Sequence, residues 1–98
     1  MKLDNAKGTR DILPEQKILR DYIINNIKSS FETFGFLPIE TPSIEMYDTL
    51  SFKYAGGSEI LKETFQLTDQ GKRKLGLRYD LTVPFARFIA MNPGLKMP

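Results

Sequence analysis

The sequence predicts an α+β domain with an antiparallel sheet and flanking helices. Three observations predict it: one long amphipathic helix near the start, one β-hairpin past the middle, and a stretch that changes hydrophobic period from two to three-and-a-half. Ninety-eight residues allow one small domain. A chain of this size buries roughly 60–70% of its unfolded surface, and its seven Phe residues supply material for a core.

Residues 1–13 read as an irregular arm, with Pro14 suited to the first turn of a helix and Glu15 on the favourable side of its dipole. From Pro14 to Phe34, Leu19, Tyr22, Ile23, Ile27, Phe31 and Phe34 recur at spacings of three and four, and Gly35 supplies a left-handed stop. Such a helix is ~30 Å long at about 1.5 Å per residue. Ile18 and Ile24 widen its apolar face, either as a broader core stripe or as a contact with a second subunit. Phe36–Thr41 is predicted as an edge or interface strand, because Pro38 and Pro42 each lack a ladder donor.

Residues 46–53 suit a short helix, broken by Gly56-Gly57-Ser58. Thr64–Thr68 alternates Phe65 and Leu67 with polar neighbours, residues 69–72 form a turn, and Arg73–Asp80 returns as the second strand. Leu75, Leu77 and Tyr79 are then expected on a half-buried face. Thr82 suits an N-cap, Pro84 a first helical turn, and Phe85, Phe88 and Ile89 share one face of a closing helix.

The junction Arg78-Tyr-Asp-Leu-Thr82 therefore places a cation, a carboxylate and a hydroxyl where a strand ends and a helix begins. Free backbone N–H groups at such a point favour a small polar ligand. The same residues also serve as plain helix caps, with Arg78 paired to Asp80 or to another carboxylate.

The chain has no cysteine and no histidine, which excludes disulfides, thiol catalysis and His-based triads within it. No zinc-ligand pattern, phosphate-binding glycine loop or membrane-length apolar run occurs, and no signal-peptide pattern begins it. A net charge of +2 leaves no broad footprint for nucleic acid or an anionic membrane. Lys72-Arg73-Lys74 is a solvated hairpin tip or, less commonly, a polyanion contact. These features suggest an intracellular soluble protein, and the ending Asn92-Pro-Gly-Leu-Lys-Met-Pro98 is read as that of a fragment.

Three segments together carry a resemblance. Lys7-Gly-Thr-Arg-Asp-Ile-Leu-Pro14, Phe31-Glu-Thr-Phe-Gly-Phe-Leu-Pro-Ile-Glu-Thr-Pro42 and Leu77-Arg-Tyr-Asp-Leu-Thr-Val-Pro-Phe-Ala-Arg87 resemble, in order and spacing, the start of the histidyl-tRNA synthetases. The resemblance implies part of a class II aminoacyl-tRNA synthetase catalytic core. Residues 14–42 would then be motif 1, with Ile23, Ile27, Phe31, Ile39 and Pro42 at a homodimer interface. Residues 77–87 would be the histidine-pocket segment, with Asp80, Leu81 and Thr82 binding histidine and Arg78 a further candidate. Many members carry Arg-Pro-Glu-Gly-Thr at this point, so Asp80 must reach one methylene further than Glu.

The complete enzyme would use ATP, Mg²⁺ and histidine, charge tRNA-His and work in the cytoplasm, with no membrane partner. The resemblance places no catalytic residue and no metal ligand within these 98 residues, nor a tightly bound cofactor. The motif 2 arginine, motif 3 and the anticodon-binding domain are expected outside them, and the piece alone is expected to be inactive. The competing reading is the non-catalytic, synthetase-like regulatory subunit of ATP phosphoribosyltransferase. A third is a self-associating domain without a ligand.

Overall fold

A computed structural model describes residues 1–52 and 61–95. The chain divides into two compact units, Met1–Pro38 and Ile39–Met97. The expected break at Gly56-Gly57-Ser58 lies outside the described residues.

The first unit is dominated by α1, Pro14–Thr33. Its hydrogen-bond ladder starts when Lys17 N–H donates to the Leu13 carbonyl at 2.8 Å. It stops through a Schellman closure: Gly35, at φ +87°, donates to Glu32, and Phe36 donates to Phe31. Glycine meets that backbone angle without a Cβ penalty, and the two bonds satisfy carbonyls that the helix leaves over. Phe36 also packs edge-on against Phe31, ring centroids 5.6 Å apart, which seals the turn with the apolar contact this motif favours.

The second unit is built on a three-stranded antiparallel sheet in the order β1–β3–β2, with β1 at Ile44–Met46, β2 at Gln66–Thr68 and β3 at Lys74–Leu77. The predicted strand at Phe36–Thr41 is a miss: those residues join no ladder, and the strand begins after Pro42 instead. Between two prolines the segment has too few donors to pair, and ladder bonding starts where Ser43 accepts the Arg78 N–H at 2.9 Å. The hairpin forms as predicted, with shorter strands. Its turn is held by Asp69, which accepts the Arg73 backbone N–H at 2.8 Å and its Nε at 2.7 Å. Those N–H donors, the backbone one first, hold the Asp69 carboxyl below its ordinary value.

Two short helices complete the unit: α2, Tyr47–Leu50, and α3, Thr82–Met91. They cover one face of the sheet, and it is not the leucine face of β3. Glu45, Gly76 and Gln66 lie side by side across the three strands, and a Cβ on Gly76 would sit 2.9 Å from the fully buried Leu50 of α2. Ile44, Met46, Leu67 and Leu77 point to the other, open face. The alternation predicted for β3 is real, but its sides are reversed: glycine is the buried partner, because only its missing side chain leaves room for Leu50.

Candidate functional site

The site segment leaves β3 at Leu77 and enters α3 at Thr82. Arg78 is drawn back across the sheet end: its Nη1 donates to the Thr41 carbonyl at 3.0 Å, to Thr41 Oγ1 at 3.1 Å and to the Pro42 carbonyl at 3.4 Å. Its side-chain partners are thus oxygens of the 41–42 segment, and the sequence-level pairing of Arg78 with Asp80 or another carboxylate is not what forms. Three carbonyl or hydroxyl oxygens compete well for one guanidinium arm when they converge from a fixed loop.

Tyr79 anchors the turn from below. Its hydroxyl donates to the Leu50 carbonyl at 3.0 Å, which ties the segment to the end of α2. Burial, and then the neighbouring Asp80 charge, raise the Tyr79 pKa above its ordinary value.

Of the two candidate caps, Asp80 and Thr82, it is Asp80 that bonds the helix start. Leu81 occupies the N-cap position without a side-chain bond, and Asp80 Oδ1 accepts the Val83 N–H at 3.2 Å. The carboxylate therefore sits against the positive end of α3. Asp80 and Arg78 line a groove of 490 Å³, together with Glu63, Thr64, Phe65, Leu77 and Tyr79.

The three residues expected to bind histidine do not share one groove. Asp80 lines the groove just described. Leu81, 65% exposed, lines a second of 330 Å³ with Ile39, Glu40, Thr41, Arg78 and Phe85. Thr82 lines a third, of 640 Å³, between α2 and α3 with Asp48, Thr49, Phe52 and Arg87 among its walls. Successive residues at a helix start point about 100° apart, which disperses them. Of the residues expected at a subunit interface, Ile23, Ile27 and Phe31 are exposed on α1, and Ile39 and Pro42 are exposed in the second unit.

One pair was not foreseen. Glu45 at the centre of β1 is 5% exposed, and Arg87 of α3 holds it with two bonds, Nε to Oε1 at 2.6 Å and Nη2 to Oε2 at 3.1 Å. Forty-two positions separate the two, so no local spacing reveals them. Among the described residues no cluster of three or more His, Cys, Asp or Glu side chains comes together to hold a metal ion.

The antiparallel sheet with its helices is a partial class II aminoacyl-tRNA synthetase core. Residues 8–96 match the family described as Histidyl-tRNA synthetase, and the chain belongs to that family. It is 54% identical over all its 98 residues to "Histidine--tRNA ligase 1" of Bacillus cereus, of which it covers 23%. Among solved structures it resembles the histidyl-tRNA synthetase of Nostoc, with a TM-score of 0.84, 29% identity, and coverage of 100% of this chain and 22% of that one. It also resembles a Bacillus halodurans protein described as an ATP phosphoribosyltransferase regulatory subunit/histidyl-tRNA synthetase. There the TM-score is 0.79 with 31% identity, and coverage is 98% of this chain and 25% of the other. The chain thus spans about a quarter of the length of the relatives it matches. Among the described residues, no helix is long and apolar enough to cross a membrane.

Proposed function

We propose that the chain is the N-terminal part of a cytoplasmic histidine–tRNA ligase and contributes part of the histidine site, through Asp80, Leu81 and Thr82. Family membership along residues 8–96 carries the reading. The chemistry of the residues agrees with it: a carboxylate at the mouth of a groove is a natural partner for an α-ammonium, and a threonine hydroxyl accepts a further N–H. In this reading Arg78 does not touch histidine. It ties the end of β3 to Thr41 and Pro42 and so fixes the groove wall from which Asp80 projects.

ATP, Mg²⁺ and tRNA-His are the other ligands this reading calls for. The described residues offer no converging acidic cluster for the metal, so no step is assigned to it within this chain. What these residues do is orient the amino acid, so that its own carboxylate is presented to ATP. The exposed apolar face of α1 is the proposed contact with a second copy, through Ile23, Ile27 and Phe31, with Ile39 and Pro42 in the same interface.

The test is ATP–pyrophosphate exchange by the full-length gene product. Exchange that depends on histidine and on no other amino acid is expected. The similarity to the Bacillus halodurans protein keeps one competing reading in view, a regulatory subunit that binds histidine without activating it. Histidine binding without exchange selects that reading, and loss of both removes the histidine site.

A further inference from the structure

We propose that Arg87, through Glu45, is a positioning residue for the histidine site, because the pair sets the rotation and tilt of α3 and hence the aim of Thr82 and Asp80. The inference rests on the functional reading above and adds to it a residue that does not touch the substrate.

Four observations carry it. Glu45 is the buried charged side chain among the described residues, and it sits mid-strand on the sheet face that α2 and α3 cover. Its carboxylate is met bidentately, a geometry that fixes direction as well as distance. Each nitrogen of the Arg87 guanidinium is already engaged within the fold: Nε and Nη2 donate to Glu45, and Nη1 donates to the Met91 sulfur at 3.3 Å. Arg87 also shares the 640 Å³ groove with Thr82, five residues and ~7.5 Å along the helix axis.

The start of α3 needs such a hold. Leu81 makes no side-chain cap bond, and the Asp80 bond to Val83 is long at 3.2 Å. Pro84 is buried but contributes only shape, which a helix can slide along. The bidentate pair is the directional tie between α3 and the sheet. A buried pair is weak evidence for stability, since an apolar pair of similar volume often replaces it without loss; its best-attested use is to select one arrangement among several.

The experiment uses the full-length gene product with two variants, Arg87→Lys and the double change Glu45→Met with Arg87→Met. Lysine keeps the charge and gives up the fork, and the double change removes the pair while filling its space. Histidine KM in the exchange reaction, histidine Kd, ATP KM and thermal midpoint are measured for each. The expected result is a rise of about tenfold or more in histidine KM and Kd in both variants, with ATP KM held within about twofold. The thermal midpoint of the double variant stays within a few degrees of the parent.

A folded variant with unchanged histidine KM and Kd overturns the proposal. So does a double variant that melts well below the parent or loses ATP and histidine affinity together, because the pair is then a structural clamp. A parent protein that neither exchanges nor binds histidine refutes the functional reading itself, before any variant is made.

Discussion

Gly76 shows what a single absent side chain does. A methyl group there would meet Leu50 Cδ1 at 2.9 Å, the Phe65 carbonyl at 3.2 Å and Thr64 Cγ2 at 3.4 Å. Leu50 is fully buried, and the Phe65 carbonyl is engaged by the Leu77 N–H, so neither yields freely. Gly76→Ala is expected to cost about 1–3 kcal/mol, read as a lower denaturation midpoint of the full-length product. Tyr79 makes a second prediction. Its folded pKa lies above the ordinary 10.0, so its contribution to stability is complete below about pH 10 and is lost as pH rises through the folded value. The alkaline loss of stability should be steeper in the parent than in Tyr79→Phe, compared by chemical denaturation across that range. Equal slopes would remove Tyr79 from the account.

Among the elements, α1 and the hairpin were legible because their signals are local. The three-and-four spacing from Leu19 to Phe34, the glycine after it, and the turn between Leu67 and Leu75 each lie within one element. β1 was not legible. Its three residues pair with Leu75–Leu77, some thirty positions away, while Phe36–Thr41 has the local look of a strand and no partner. Of the two caps the sequence offers, Asp80 is the one that forms, because a carboxylate ahead of Leu81 reaches the Val83 N–H. The exposed face of α1 carries its own prediction: Ile27→Asp in the full-length product should move sedimentation from dimer to monomer at about micromolar concentration. A variant that still sediments as a dimer would take α1 out of the interface.

For the chain as a whole, four described residues are buried, Glu45, Leu50, Gly76 and Pro84, so little apolar surface is removed from water within either unit. The candidate histidine residues face three grooves, none of them enclosed by the described residues alone. The isolated 98 residues are therefore expected to show no histidine-dependent ATP–pyrophosphate exchange above a no-protein control, and measurable exchange would overturn that. The passage from strand to helix across residues 78–81 was legible in the sequence. The division of Asp80, Leu81 and Thr82 among different walls was not, since it depends on where α2 and the 39–42 stretch lie.

The bare position at the middle of β3 also governs how the strands find their alignment. Sliding β3 by one residue would bring Leu75 or Leu77 beneath Leu50 and swing the glycine to the open side. Leu50 has no room for either leucine. Gly76 thus works as a notch that engages at one setting, and a misaligned sheet is refused sterically.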